Sequence, residues 1–412
     1  MDCINEELSS KLNGIKSYCI ENKIEICFGD YLIFDKAIKE DEDELILLTE
    51  KTIVEVILPR DAYAVDIELN KLINMINEAK DGTFLNDYTF VSSNTSYIRI
   101  DIPIIDFNYI ELLHKEQFET SIKFNDITYT VNLITEINSF NVKIAEEGKY
   151  SKYTPAYLEG DYFLKITSVG SINNAILDNV FNSYFFELKT TLDIEITIAP
   201  WEEDDFTDYE VQKDDELGST RLRPLLQGKG INELLNIYKN AFNTSYPEQQ
   251  ILSFSRIIEY VSQTVIRKDL IEKTMIKLSS KRALSPDSTY ILELNKIFDD
   301  HRDLGKDYQA FKITIETCCD ILELIEVAPE FLKKTKKITI ESKTEARDQA
   351  FVEIIDAVTA TRNKFAHAKT NYKIKGTECP ESQLKEFAKF LNMIAQQTIR
   401  WFNMQKEENR IV

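Results

Sequence analysis

Only three histidines occur in the chain, His114, His301 and His367. They bound its acid–base chemistry, because imidazole is the side chain that titrates near neutral pH. His114 lies in Glu-Leu-Leu-His-Lys-Glu without a recognisable chemical partner and reads as a surface residue. His301-Arg302-Asp303-Leu304 superficially matches a protein-kinase catalytic loop, in which an Asn five residues after the Asp holds magnesium. That position is Tyr308, and neither a glycine-rich loop nor a DFG accompanies it, so the stretch reads as a helix end or turn. His367 differs, because it stands in Thr359-Ala-Thr-Arg-Asn-Lys-Phe-Ala-His-Ala-Lys369. An arginine, an asparagine and a histidine at this spacing suit RNA cleavage without a metal. The histidine can remove the ribose 2′-OH proton or protonate the leaving 5′ oxygen. The planar, permanently charged guanidinium can grip two phosphate oxygens and stabilise the charge that builds there.

These residues need a helix to position them. Beyond residue 220 the apolar spacing is helical and predicts helices at Ile231–Phe242, Glu248–Lys268, Thr289–Asp300, Tyr308–Ile325, Thr344–Lys364 and Ser382–Gln405. Phe254, Ile257, Ile258, Val261 and Val265 form one apolar stripe, and Leu384, Phe387, Phe390, Leu391, Ile394 and Ile399 another. Residues 221–412 therefore read as an all-α antiparallel helical bundle. Five residues of straight helix would turn His367 roughly 140° from Arg362 and move it about 7.5 Å along the axis. Either the helix ends or distorts near Phe365–Ala366, or a second copy of the chain completes the site.

The first half is different in kind. From about residue 23 to 200, runs such as Lys23–Phe28, Glu44–Leu48, Ser96–Ile102, Ile127–Ile134 and Leu192–Ile198 alternate or cluster Ile, Val, Tyr, Phe and Thr. This predicts a β-rich domain over residues 1–200, sandwich or barrel-like, with one helix over Val65–Lys80. Residues 201–217 hold nine acids and one lysine, and read as part of a solvated, self-repelling linker over 201–220. Ordered metal-ligand spacing is missing there, which ranks a divalent-metal hydrolase last among the readings. The expected fold is α+β and multidomain.

Net charge divides along the same line. The total is −21, but residues 1–220 carry 18 Lys+Arg against 44 Asp+Glu, whereas residues 221–412 carry 31 against 26. Only the second half suits a polyanion electrically. Candidate backbone contacts for RNA are Lys333, Lys334, Lys336 and Lys337, in a run that reads equally as a solvated loop, with Lys364 and Lys369 beside the motif and Arg221, Arg223 and Lys229 as weaker candidates. The six cysteines show no CxxC spacing, which leaves reduced, buried thiols as the default; no metal and no cofactor is expected. The acidic start Met-Asp-Cys-Ile-Asn-Glu-Glu lacks a secretory pattern, and no apolar run is long enough to span a bilayer. A cytoplasmic chain without membrane contact is expected.

Arg362, Asn363 and His367 match the pattern that defines the HEPN superfamily, an Arg followed after four to six residues by His, with a polar residue directly after the Arg. The order of a β-rich domain before the bundle resembles the ApeA-like group of that superfamily. Phe254-Ser-Arg-Ile-Ile-Glu259 is similar to the aromatic-to-glutamate segment on the first long helix of such bundles. The resemblance covers about residues 247–405. It implies a homodimer through the helical domain, with two motifs facing each other, and a metal-independent endoribonuclease that leaves a cyclic phosphate. Arg362 would bind phosphate, His367 would be the general acid or base, and Asn363 would orient the pair, with Glu259 a candidate to hold Arg362. It further implies a toxin or antiviral effector that cuts transfer RNA or message, controlled by a trigger protein on the first domain. The alternative is a non-catalytic dimeric interaction or RNA-binding protein.

Overall fold

The alternation read in Ile127–Ile134 is a strand whose Tyr129, Val131 and Leu133 are buried while the residues between them are not. It belongs to a computed structural model that describes residues 6–29, 31–34, 48–61, 63–102, 118–124, 126–151, 153–201, 222–366 and 375–412. The described chain is α+β, with antiparallel sheets in its N-terminal half and a succession of helices in its C-terminal half. None of the described helices is long and apolar enough to cross a membrane.

The chain divides into two compact units, residues 1–177 with 187–225, and residues 178–186 with 226–412. In the first, a four-stranded sheet runs in the order β2-β1-β3-β4, from β1 Glu25–Phe28, β2 Tyr31–Leu32, β3 Ile53–Ile57 and β4 Val65–Glu68. A larger sheet is made of β5 Thr83–Asn86, β6 Thr89–Val91, β7 Thr95–Asp101, β8 Thr120–Phe124, β9 Ile127–Ile134 and β10 Tyr162–Ser168. Its order is β5-β6-β7-β10-β9-β8, and β11 Thr197–Ile198 pairs with the end of β7. As described it is open, since β5 and β8 each pair with one neighbour.

Helices were under-read in this half. α1 Glu6–Glu21 buries Leu8, Leu12, Ile15 and Cys19 at helical spacing, in one core with α2 Leu69–Asp81 and α3 Ser139–Glu147. The helix expected from Val65 begins at Leu69, because Val65 to Glu68 alternate and pair with β3. α2 stops where Gly82 lies against the Phe90 ring, and a Cβ there would overlap that ring. α4 Leu177–Leu192 was missed, since its Phe181, Tyr184, Phe185 and Phe186 are residues that favour strands. Trp201 is not linker: it is buried in the first unit's core, and its indole N–H donates to the Lys149 carbonyl at 2.7 Å. The rest of the expected acidic linker, residues 202–220, lies outside the described residues.

The second unit is organised on one long helix. α6 Pro247–Leu278 packs against α5 Ile231–Asn240, α7 Ser288–Leu304, α8 Asp307–Cys318, α10 Thr344–Ala366 and α11 Leu384–Met404. The two apolar stripes read from the sequence are buried faces of α6 and α11. The single helix expected over Tyr308–Ile325 is broken, because Asp320 accepts from Leu322 N and so caps a new helix, α9 Ile321–Glu326. Residues 178–186 join this unit from α4. Asn182 donates to Asn232 and Asn236, and Ser183 donates to the Leu226 carbonyl at 2.8 Å.

Candidate functional site

α10 brings the motif to the surface of the second unit. Its inward residues Ala350, Ile354, Ile355, Ala357, Val358 and Thr361 anchor it in the core. Asp356, Thr359 and Asn363 follow one another at i, i+3 and i+7, so they share a face that Arg362 borders. The helix runs to Ala366; His367 and Lys369 lie outside the described residues.

Arg362 is four-fifths covered, and its guanidinium is held from several sides. One Nη donates to the Glu259 carboxylate on α6 in a short contact. The other donates to the Asn363 side-chain oxygen at 2.9 Å and lies 3.9 Å from Asp307 Oδ2. The sequence candidates Arg362, Asn363 and Glu259 are thus brought together. With both Nη groups held, the guanidinium of Arg362 keeps a defined orientation at low conformational cost.

Arg362 lines a cavity of about 150 Å³ together with Asn363 and Thr359 of α10, Asp307, Tyr308 and Phe311 of α8, and Lys375. Lys375 is placed by a tight turn in which the Glu378 carboxylate accepts from the backbone N–H of Lys375 and Gly376, at 2.6 and 2.7 Å. Asp307 and Tyr308 open α8, whose cap residue Lys306 makes no side-chain capping bond. A helix N-terminus without a side-chain cap adds positive potential to that of Arg362 and Lys375. Tyr308 donates to Asp356 Oδ1 at 3.0 Å. Burial, and then this hydrogen bond to a carboxylate, push its phenol up to about 12, so it stays protonated. Asp307, Tyr308, Phe311, Asp356 and Lys375 escaped sequence reasoning. Only the i, i+3, i+7 spacing on α10 could have pointed to Asp356 and Thr359.

The other candidates are scattered. Lys333 to Lys337 form a turn with exposed lysines and a buried Thr335, fastened to α10 by Glu353, whose carboxylate accepts from the N–H of Lys334 and Thr335 and from the Thr335 hydroxyl. Within that turn Lys336 pairs with Glu330. Lys364 sits 3.4 Å from Glu381 and over the Phe365 ring. Arg223 belongs to the first unit, where it donates to the buried Glu187. Its side chain is half exposed, so the guanidinium is shared between this ion pair and the surface. Lys229 Nζ donates to the Arg410 carbonyl at 3.1 Å, which ties it to the C-terminal segment. His301 stands in the last turn of α7, the helix end expected for it. Arg221 and His114 lie outside the described residues. Among those described, no cluster of His, Cys, Asp or Glu could hold a metal ion.

The described cysteines are free, and burial pushes the thiols of Cys19, Cys319 and Cys379 up to about 12. Such thiols are poor nucleophiles. A larger cavity of about 500 Å³ lies in the first unit, where Lys71, Asn74, Glu78 and Asp81 line it from one face of α2. No family model, curated protein or solved structure matches the chain.

Proposed function

We propose that the protein is a metal-independent endoribonuclease of the HEPN type, with its helical unit as the catalytic bundle. The observation that carries this reading is the tethered Arg362, held by Glu259 and Asn363 on the wall of a cavity that Lys375 also lines, five residues before His367. A phosphodiester entering the cavity takes the place of the Asp307 carboxylate beside Arg362 and meets Lys375 and the start of α8. Arg362 neutralises the charge that grows on the non-bridging oxygens as the ribose 2′-OH attacks phosphorus. The bond to the 5′ oxygen breaks, leaving a 2′,3′-cyclic phosphate and a 5′-OH, and His367 moves the proton. Asn363 keeps the guanidinium oriented.

The active form is a homodimer. The end of α6 and the start of α7 expose Ile271, Met275, Ile276, Leu278, Ile291 and Leu292, with Leu284 between them 89% exposed. Apolar side chains exposed this close together in the chain suit one side of a protein–protein interface. The protein acts in the cytoplasm as a toxin or antiviral effector on transfer RNA or other RNA, and a trigger protein on the first unit controls it.

The test is incubation of wild-type, His367→Ala and Arg362→Ala protein with total and transfer RNA in EDTA, with end groups read by phosphatase and ligase sensitivity. Cutting by the wild type alone, with cyclic phosphate ends, supports the reading. Undiminished cutting by both variants sinks it. One observation favours a non-catalytic interaction module instead: the ion pair with Glu259 is also a sufficient structural role for Arg362. That reading expects Arg362→Ala to lower the melting temperature while RNA stays intact with every form.

A further inference from the structure

Beside the arginine stands an aromatic ring that the proposed chemistry does not use. Tyr308 is 37% exposed and lines the same cavity as Arg362. Its hydroxyl is anchored to Asp356, which lies on the α10 face that carries Thr359 one turn and Asn363 two turns further on. Phe311, one turn after Tyr308 on α8, is buried and supports it from the same cavity wall. The ring is therefore fixed between its backbone and Asp356, partly exposed, and one residue from the α8 N-terminus. The phenolic proton is committed to Asp356, so the hydroxyl offers neither a base nor a free donor for the substrate. What remains available is the apolar face of the ring.

We infer that Tyr308 is a positioning residue on which the nucleobase adjoining the scissile phosphate stacks, so the site takes RNA whose base is unpaired at the point of cutting. This rests on the proposed phosphate role of Arg362 and adds the nucleoside's place to it. An aromatic face beside a phosphate-binding arginine recognises both halves of one nucleotide. Bases of a duplex are already stacked and paired, and only a base that has left the helix can lie on the ring. Tyr308 thereby converts general attraction for a polyanion into a preference for unpaired RNA.

The experiment uses the full chain in a His367→Ala background, so that the probe survives, and an unstructured oligoribonucleotide carrying 2-aminopurine. Stacking on the ring quenches the fluorophore, and anisotropy reports affinity in parallel. Tyr308→Leu keeps the apolar bulk but has no aromatic face. It is expected to lose the quench and bind roughly ten-fold more weakly, while Tyr308→Phe restores both and a duplex of the same sequence shows no quench with any form. If binding depends on Arg362 but Tyr308→Leu leaves quench and affinity unchanged, the inference fails and the ribonuclease reading stands. If the oligonucleotide does not bind, or binds equally well after Arg362→Ala, both fail together.

Discussion

At the scale of single residues, the pairing of Glu259 with Arg362 makes a prediction that separates orientation from stability. Glu259 is about a third exposed, so Glu259→Gln should change the folding free energy by less than about 1 kcal/mol. Its effect on RNA cutting should be larger, roughly ten-fold in kcat, because the fork of Arg362 loses its charged tether. Single-turnover cleavage set beside thermal melting would show this, and equal small effects on both would count against an orienting role. A second residue concerns pH. Burial pushes the Asp61 carboxyl up from 3.8 to about 6, against the opposing effect of the Tyr157 and Leu58 N–H groups that it accepts from. Within that window the folded chain holds a proton that the unfolded chain has released, so this residue's contribution to stability falls as pH rises to about 6 and is level above it. Asp61→Asn should therefore raise the melting temperature relative to wild type more at neutral pH than at the acid end of the window. A difference that does not change with pH would overturn the assignment.

At the scale of elements, the turn at Thr335–Lys337 is fastened to α10 by Glu353, nine residues before Arg362, or about 14 Å along the axis. Nine residues also turn Glu353 roughly 180° around α10 from Arg362, so a strand that leaves the motif cavity reaches this turn by wrapping around the helix. Lys336 is paired with Glu330, which leaves Lys333, Lys334 and Lys337 as the residues expected to meet phosphates. Replacing all three by alanine should weaken RNA binding and flatten the plot of log affinity against log salt by about 2, the value for three lost contacts to a single strand. An unchanged slope in a salt titration would remove the turn from the RNA path. The motif was legible in the sequence because Arg362, Asn363 and His367 are close neighbours along the chain. Tyr308 and Lys375 were not, since α8 and a separate turn bring them beside Arg362, and no local spacing encodes such a meeting.

At the scale of the whole molecule, the exposed apolar face on α6 and α7 predicts the assembly state. Light scattering should give twice the 47.8 kDa chain mass, and Ile276→Glu combined with Leu292→Glu should give the single-chain mass with unchanged helicity. Both side chains are more than two-thirds exposed, so the fold itself should tolerate the change. If the partner's copy completes the site, this variant also loses cleavage. A dimer that survives the double substitution would place the interface elsewhere.

The amino-acid sequence by itself determined the broad architecture: a β-rich, acidic first half, a helical second half of opposite charge, and two stripes that became the buried faces of α6 and α11. Periodicity and charge are local or additive properties, so they survive without a structure. Tertiary packing decided the rest. It made a helix of the aromatic run Phe181–Phe186, because the surrounding core buries that run on every side and its polar Asn182 and Ser183 find partners 43 or more residues away. For the same reason the division of the chain is not a single cut: residues 178–186 complete the helical unit although they precede the acidic segment. The cavity is likewise a product of packing. Arg362 was readable as a cation, but its tether to Glu259, 103 positions away, and its aromatic neighbour Tyr308 exist only once α6, α8 and α10 lie together.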